Sequence, residues 1–102
     1  MATVQLSAQG SEVTARFEGE LDIYSVGALQ QSLWGAIDTA TSLRLELAEV
    51  EEIDLAGVQL LAWVRAVSQA RAIDFGVATA SPAVSAAASA LNLSSWLAGS
   101  TS

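Results

Sequence analysis

The side chains able to do chemistry in this sequence are carboxylates. Asp22 and Asp54 are the two aspartates that precede helical patterns, and Glu20, Glu49, Glu51 and Glu52 stand close to them in sequence. Two carboxylates can serve as acid and base, as they do in glycoside hydrolysis. Such a pair needs a walled cleft, and a chain of 102 residues has little material from which to build one. Histidine, cysteine and lysine are all absent. That removes imidazole bases, Ser-His-Asp and Cys-His couples, thiol redox centres and His/Cys zinc sites. No catalytic residue, metal ligand or cofactor site is assigned.

Four arginines face eleven carboxylates, for a net charge of −7. Nucleic acid is an unsuitable partner, because binding phosphates requires several cations that displace counterions. An anionic membrane surface is unsuitable for the same reason. Ten of the carboxylates lie in residues 1–54, so the acidity is concentrated and calls for a basic protein partner. The start of a helix at Gly57 could attract an anion, but the neighbouring acids oppose it, and neither GxGxxG nor GxxxxGK[ST] is present. Despite 52% hydrophobic residues, there is no apolar run of about 18 and no charged-then-apolar leader. A cytoplasmic protein without direct membrane insertion is expected.

The elements that must position these residues are legible from periodicity. Val4, Leu6 and Ala8 alternate with polar residues, as do Val13, Ala15 and Phe17, and Gln9-Gly10-Ser11 between them reads as a hairpin turn. Leu43, Leu45 and Leu47, then Ile73, Phe75 and Val77, give two further strands with one apolar face each. Helical spacing follows Ser25, a candidate N-cap, through Val26, Leu29, Leu33 and Ile37. From Gly57 to Arg71 it groups Leu60, Leu61, Val64 and Val67. Ser81-Pro82 starts a third helix with the stripe Val84, Ala87, Ala88 and Leu91, ended by Asn92 and followed by a short turn from Leu93 to Leu97.

The expected fold is therefore α/β: a single sheet of about four strands, an N-terminal hairpin followed by parallel strands, with helices packed on one face. One domain spans 1–98, and 99–102 is a frayed tail. Right-handed crossovers with every helix on one face make the strands step in one direction. The segments Gly19–Ser25 and Glu49–Gly57 then emerge as loops at one edge of the sheet, the edge at which open α/β sheets place their sites.

Gly19-Glu20-Leu21-Asp22, Leu43-Arg44-Leu45-Glu46-Leu47 leading to Ile53-Asp54 and Gly57, Gln59-Leu60-Leu61, and Ser81-Pro82-Ala83-Val84 together resemble the STAS domain of anti-sigma-factor antagonists. The resemblance runs over nearly the whole chain. It implies a non-catalytic regulator that binds a protein partner, an anti-sigma factor of kinase type. Similar small STAS proteins accompany chemotaxis systems, and others are subunits of lipid-transporting ABC complexes, so a chemotaxis component and a transporter ATPase are the alternative partners. Phosphorylatable members carry Ser or Thr directly after the aspartate at the head of the second long helix. Here that segment is Asp54-Leu55-Ala56-Gly57, and the phosphoacceptor-equivalent Leu55 has no hydroxyl. Phosphate adds about −1.5 to −2 charge and would release a partner from an acidic edge; the resemblance implies the binding surface without that switch.

The expected partner-binding residues are Glu20, Asp22, Asp54, Leu55, Ala56, Gly57, Gln59 and Trp63. Several have a second reading. Leu55 is either buried in the first turn or exposed as an anchor. Asp54 caps the helix, contacts the partner, or does both, and Asp22 orders its loop or contacts the partner. Ser25 is a cap or, as the nearest hydroxyl candidate in the two loops, a phosphoacceptor. Trp63 lies about 90° from its helix's apolar stripe and either packs on a neighbouring helix or joins an interface. Trp34 and Trp96 read as packing at element ends. Arg16, Glu18, Arg44, Glu46 and Asp74 decorate the solvated sheet face as cross-strand ion pairs; a second partner or a homodimer is the other reading of that face.

Overall fold

A computed structural model of the protein describes residues 1–91. Its elements run β1 (Ala2–Gln9), β2 (Glu12–Leu21), α1 (Val26–Ile37), β3 (Ser42–Ile53), α2 (Leu55–Ala70), β4 (Asp74–Ala80) and α3 (Pro82–Ala90). The sheet order is β1-β2-β3-β4, with β1 antiparallel to β2 and the other pairs parallel. This is the expected α/β architecture. Gly10 supplies the positive φ of 63° that the two-residue turn between β1 and β2 needs.

One core lies between the sheet and the helices. Ala15, Phe17, Leu43, Leu45 and Leu47 from the sheet are closed off completely, and Leu29, Leu33, Ile37, Leu60, Leu61, Val64 and Val84 cover them from the helices. Alternation produces this because successive strand residues point to opposite faces. Val67 is only partly buried at the margin of that cluster. α2 ends in a Schellman motif: Ile73 N–H donates to the Ser68 carbonyl and Ala72 N–H to that of Gln69, with Ala72 itself at φ 56°.

Three expectations about packing are corrected. Leu6 stands 42% exposed and Ala8 is exposed, because burial fades along β1 after Ala2 and Val4 and the helix layer stops short of them. Leu91 is exposed at the C-cap of α3, which closes at Ala90, ahead of Asn92. On the solvated face, Arg44 does pair with Asp74 of the neighbouring strand at 3.0 Å, but Arg16 pairs along its own strand with Glu18 at 3.3 Å. Exposed pairs of this kind contribute under about 1 kcal/mol. Asn92, the turn Leu93 to Leu97, Trp96 and the tail 99–102 lie outside the described residues.

Candidate functional site

The acidic segments are strand ends more than loops. β2 continues through Gly19 and Glu20 to Leu21, and β3 continues through Glu49, Glu51 and Glu52 to Ile53. Alternation hides this, because β3 carries extra residues opposite Arg16–Glu18 and again opposite Gly19–Glu20. What remains as loop at the edge is Asp22-Ile23-Tyr24-Ser25 after β2 and Asp54 alone after β3.

The first loop is held by its own polar groups. Asp22 Oδ1 accepts from the Tyr24 N–H at 3.1 Å, an Asx turn, and lies 3.1 Å from Ser25 Oγ. The Asp22 carbonyl accepts the Ser25 and Val26 N–H groups at 3.0 and 3.2 Å. Ser25 Oγ accepts the Asp22 N–H, and its proton also has the Glu20 and Asp22 carbonyls in reach. Ser25 therefore does not cap α1 through its side chain, contrary to the sequence reading; it is only 2% exposed and bonds back into the loop.

Asp54 ties both sides of the edge together. Its Oδ1 accepts the Gly57 N–H at 3.0 Å, capping α2, while Oδ2 accepts the Ile23 N–H from the other loop at 3.2 Å. Its own N–H donates to the Leu21 carbonyl at 3.2 Å. Asp54→Ala should cost about 1–2 kcal/mol by loss of the cap, read as a lowered denaturant midpoint. It should also raise amide exchange at Ile23, which an isolated helix cap would not affect.

With the polar groups turned inward, apolar groups are left outside. Ile23 is 66% exposed, Tyr24 81% and Leu55 63%. Beside them a shallow groove of about 340 Å³ runs between α1, through Val26, Gly27 and Gln30, and α2, through Ala56, Gln59, Leu60 and Trp63. Trp63 is half-buried and packs on Trp34 of α1 with ring centroids 5.6 Å apart and planes at 43°. Trp34 thus sits on the α1–α2 seam, with the Arg71 guanidinium 4.9 Å from its ring centre and paired to Asp38 at 3.1 Å. Gly57 is buried: a Cβ there would overlap the Leu21 carbonyl oxygen and meet the Ile53 side chain at 2.8 Å.

Glu20, Glu51 and Glu52 are exposed at the rim. Glu20 pairs with the N-terminal ammonium at 2.9 Å, and this hydrogen bond holds the ammonium pKa above its ordinary value. The edge therefore brings together Glu20, Asp22, Asp54, Leu55, Ala56, Gln59 and Trp63 and keeps Gly57 beneath them. Ile23, Tyr24, Val26, Gly27 and Gln30 were not among the expected residues; two large apolar side chains in a four-residue loop were the available signal. Both aspartates direct oxygens to N–H groups of the edge itself: Asp22 to Tyr24, and Asp54 to Ile23 and Gly57. Among the described residues no group of three His, Cys, Asp or Glu side chains is arranged to hold a metal, and no helix is long and apolar enough to cross a membrane.

The chain belongs to the STAS family: a family model described as "Mlab, STAS domain" matches residues 4–98. In structure it is similar to the anti-sigma factor antagonist SpoIIAA in its unphosphorylated form, at 25% identity and a TM-score of 0.75, over 93% of this chain and 85% of that one. An anti-sigma factor antagonist from Mycobacterium paratuberculosis shares the fold with a TM-score of 0.79 and 22% identity, over 95% and 83% of the two chains. The phosphorylated form of the Bacillus cell fate determinant SpoIIAA does so at 0.70 and 24%, over 93% and 88%. No curated protein matches the chain in sequence.

Proposed function

We propose that this protein is a non-catalytic regulator of the anti-sigma-factor-antagonist kind, which docks a protein partner through the Asp22–Ser25 loop and the first two turns of α2. The observation that carries this reading is the exposure of Leu55 beside Ile23 and Tyr24. Apolar groups ringed by polar ones are the usual source of interface energy. The rim of Glu20, Asp22, Glu51, Glu52 and Asp54 favours a partner whose contact face is apolar at its centre and basic at its border. A standard interface takes about 800 Å² from each side, enough to cover both loops and the groove.

The surface is not switched at position 55, since leucine cannot take phosphate. Ser25 is the only serine or threonine in the two edge segments 19–25 and 49–57, and its burial and inward hydrogen bonds keep it from a kinase. Incubation with ATP and the cognate anti-sigma kinase should leave the intact mass unchanged; a gain of one phosphate on Ser25 would contradict the unswitched reading. Affinity capture with the parent chain and with Leu55→Asp as baits tests the proposal. The partner is a protein held by the parent and lost by the variant. Recovery of an anti-sigma factor supports the regulator reading; a chemotaxis component or a transporter ATPase held in the same way would replace it with a fixed assembly role.

A further inference from the structure

The two edges of the sheet are built differently. β4 begins with the charged Asp74, is seven residues long, and carries an extra residue between Val77 and Thr79 that breaks its register. Charge, shortness and bulges are the devices by which edge strands resist pairing with other chains. β1 has none of them. It runs eight residues in unbroken register with β2, without proline, and residues 1–11 contain no charged side chain. On a chain of net charge −7, a second copy can approach along this strand without meeting a like charge on it.

The sequence of β1 is also complementary to itself. In an antiparallel pairing about a two-fold axis normal to the sheet, faces match only when residues of like parity oppose each other. The register centred on Gln5 uses the strand most fully. It sets Gln5 against Gln5, Thr3 against Ser7, and Val4 against Leu6. The half-buried Val4 would then cover Leu6, which is 42% exposed in the single chain, while uncharged polar residues meet on the solvated face. We infer that β1 is a self-association edge, through which two copies join their sheets into one of eight strands. The contact is symmetric and closed, so it stops at a dimer. Its area lies at the small end for specific interfaces, which makes the dimer a weak one that forms with rising concentration. β2 of one copy then runs opposite to β2 of the other, and the two docking edges face opposite ends of the joined sheet.

The absence of native cysteine gives a direct test on the full chain. Facing residues in antiparallel strands lie about 4.5–5.5 Å apart at Cα, within reach of a disulfide. Under mild oxidation with diamide, Gln5→Cys should cross-link to a covalent dimer. Ser7→Cys should not, because its two copies would stand about 13 Å apart in this register. Adding Leu6→Lys to Gln5→Cys should abolish the cross-link, with an unchanged circular dichroism spectrum because position 6 is exposed. The parent should sediment increasingly above its 10.5 kDa monomer mass as concentration rises. Failure of Gln5→Cys to cross-link, or equal rates for Gln5→Cys and Ser7→Cys, would overturn the inference.

Discussion

Leu55→Asp should weaken binding of the captured partner by at least about tenfold, or about 1.4 kcal/mol. Two effects add in the same direction. The substitution removes an apolar anchor that the partner would bury, and truncating such anchors commonly costs more than about 1 kcal/mol. It also places a charge next to Asp54, on an edge already lined by Glu20, Asp22, Glu51 and Glu52, where docking would have to desolvate it. Leu55→Ala separates these terms, since it loses the anchor without gaining charge, and should fall between parent and Leu55→Asp. Folding should not suffer. Leu55 is 63% exposed, and an acid in the first turn of α2 is favourable to the helix by roughly 0.3–1 kcal/mol.

Gly57→Ala should have the largest effect on stability. Alanine in place of glycine in a helix ordinarily gains up to about 1 kcal/mol. At position 57 the added methyl meets the Leu21 carbonyl oxygen and the side chains of Ile53 and Leu21, all at the point where α2 is pressed against the end of β2. Forcing a methyl into packed surroundings costs about 1–3 kcal/mol and more where backbone must move. The clash outweighs the propensity gain, with a net loss of about 2 kcal/mol and a melting midpoint lower by about 10 °C for a domain of this size. Gly35→Ala is the matched control: nothing lies within 4 Å of its Cβ in α1, so it should stabilise. Partner binding by Gly57→Ala should fall as well, because the same shift moves Asp54 away from the Ile23 N–H.

The origin of these effects was only partly visible in the sequence. Element order, sheet order and the inward set Phe17, Leu43, Leu45 and Phe75 follow from period-two alternation, which one buried face enforces. The ends of β2 and β3 do not, because the irregular register between Arg16 and Glu20 breaks the alternation where the strands carry their acids. Asp54 was legible as a cap from its place three residues ahead of Gly57. Ser25 occupies an equally favourable position before α1, yet its hydroxyl finds the Glu20 and Asp22 carbonyls, a competition that depends on the loop's shape. Trp63 illustrates the same limit. Its angle on the helical wheel leaves packing and interface open; the structure shows the packing, a contact with Trp34, and also places Trp63 in the lining of the groove.

A docking edge at the head of α2 is the central claim, and it is tested most directly by mapping amide chemical-shift changes as the captured partner is titrated into isotope-labelled protein. The largest changes should fall on Asp22 to Gly27 and on Asp54 to Trp63, with β4 and α3 little affected. Changes confined to α3 or to the Arg16, Arg44 and Asp74 face of the sheet, with Ile23, Tyr24 and Leu55 unmoved, would contradict it.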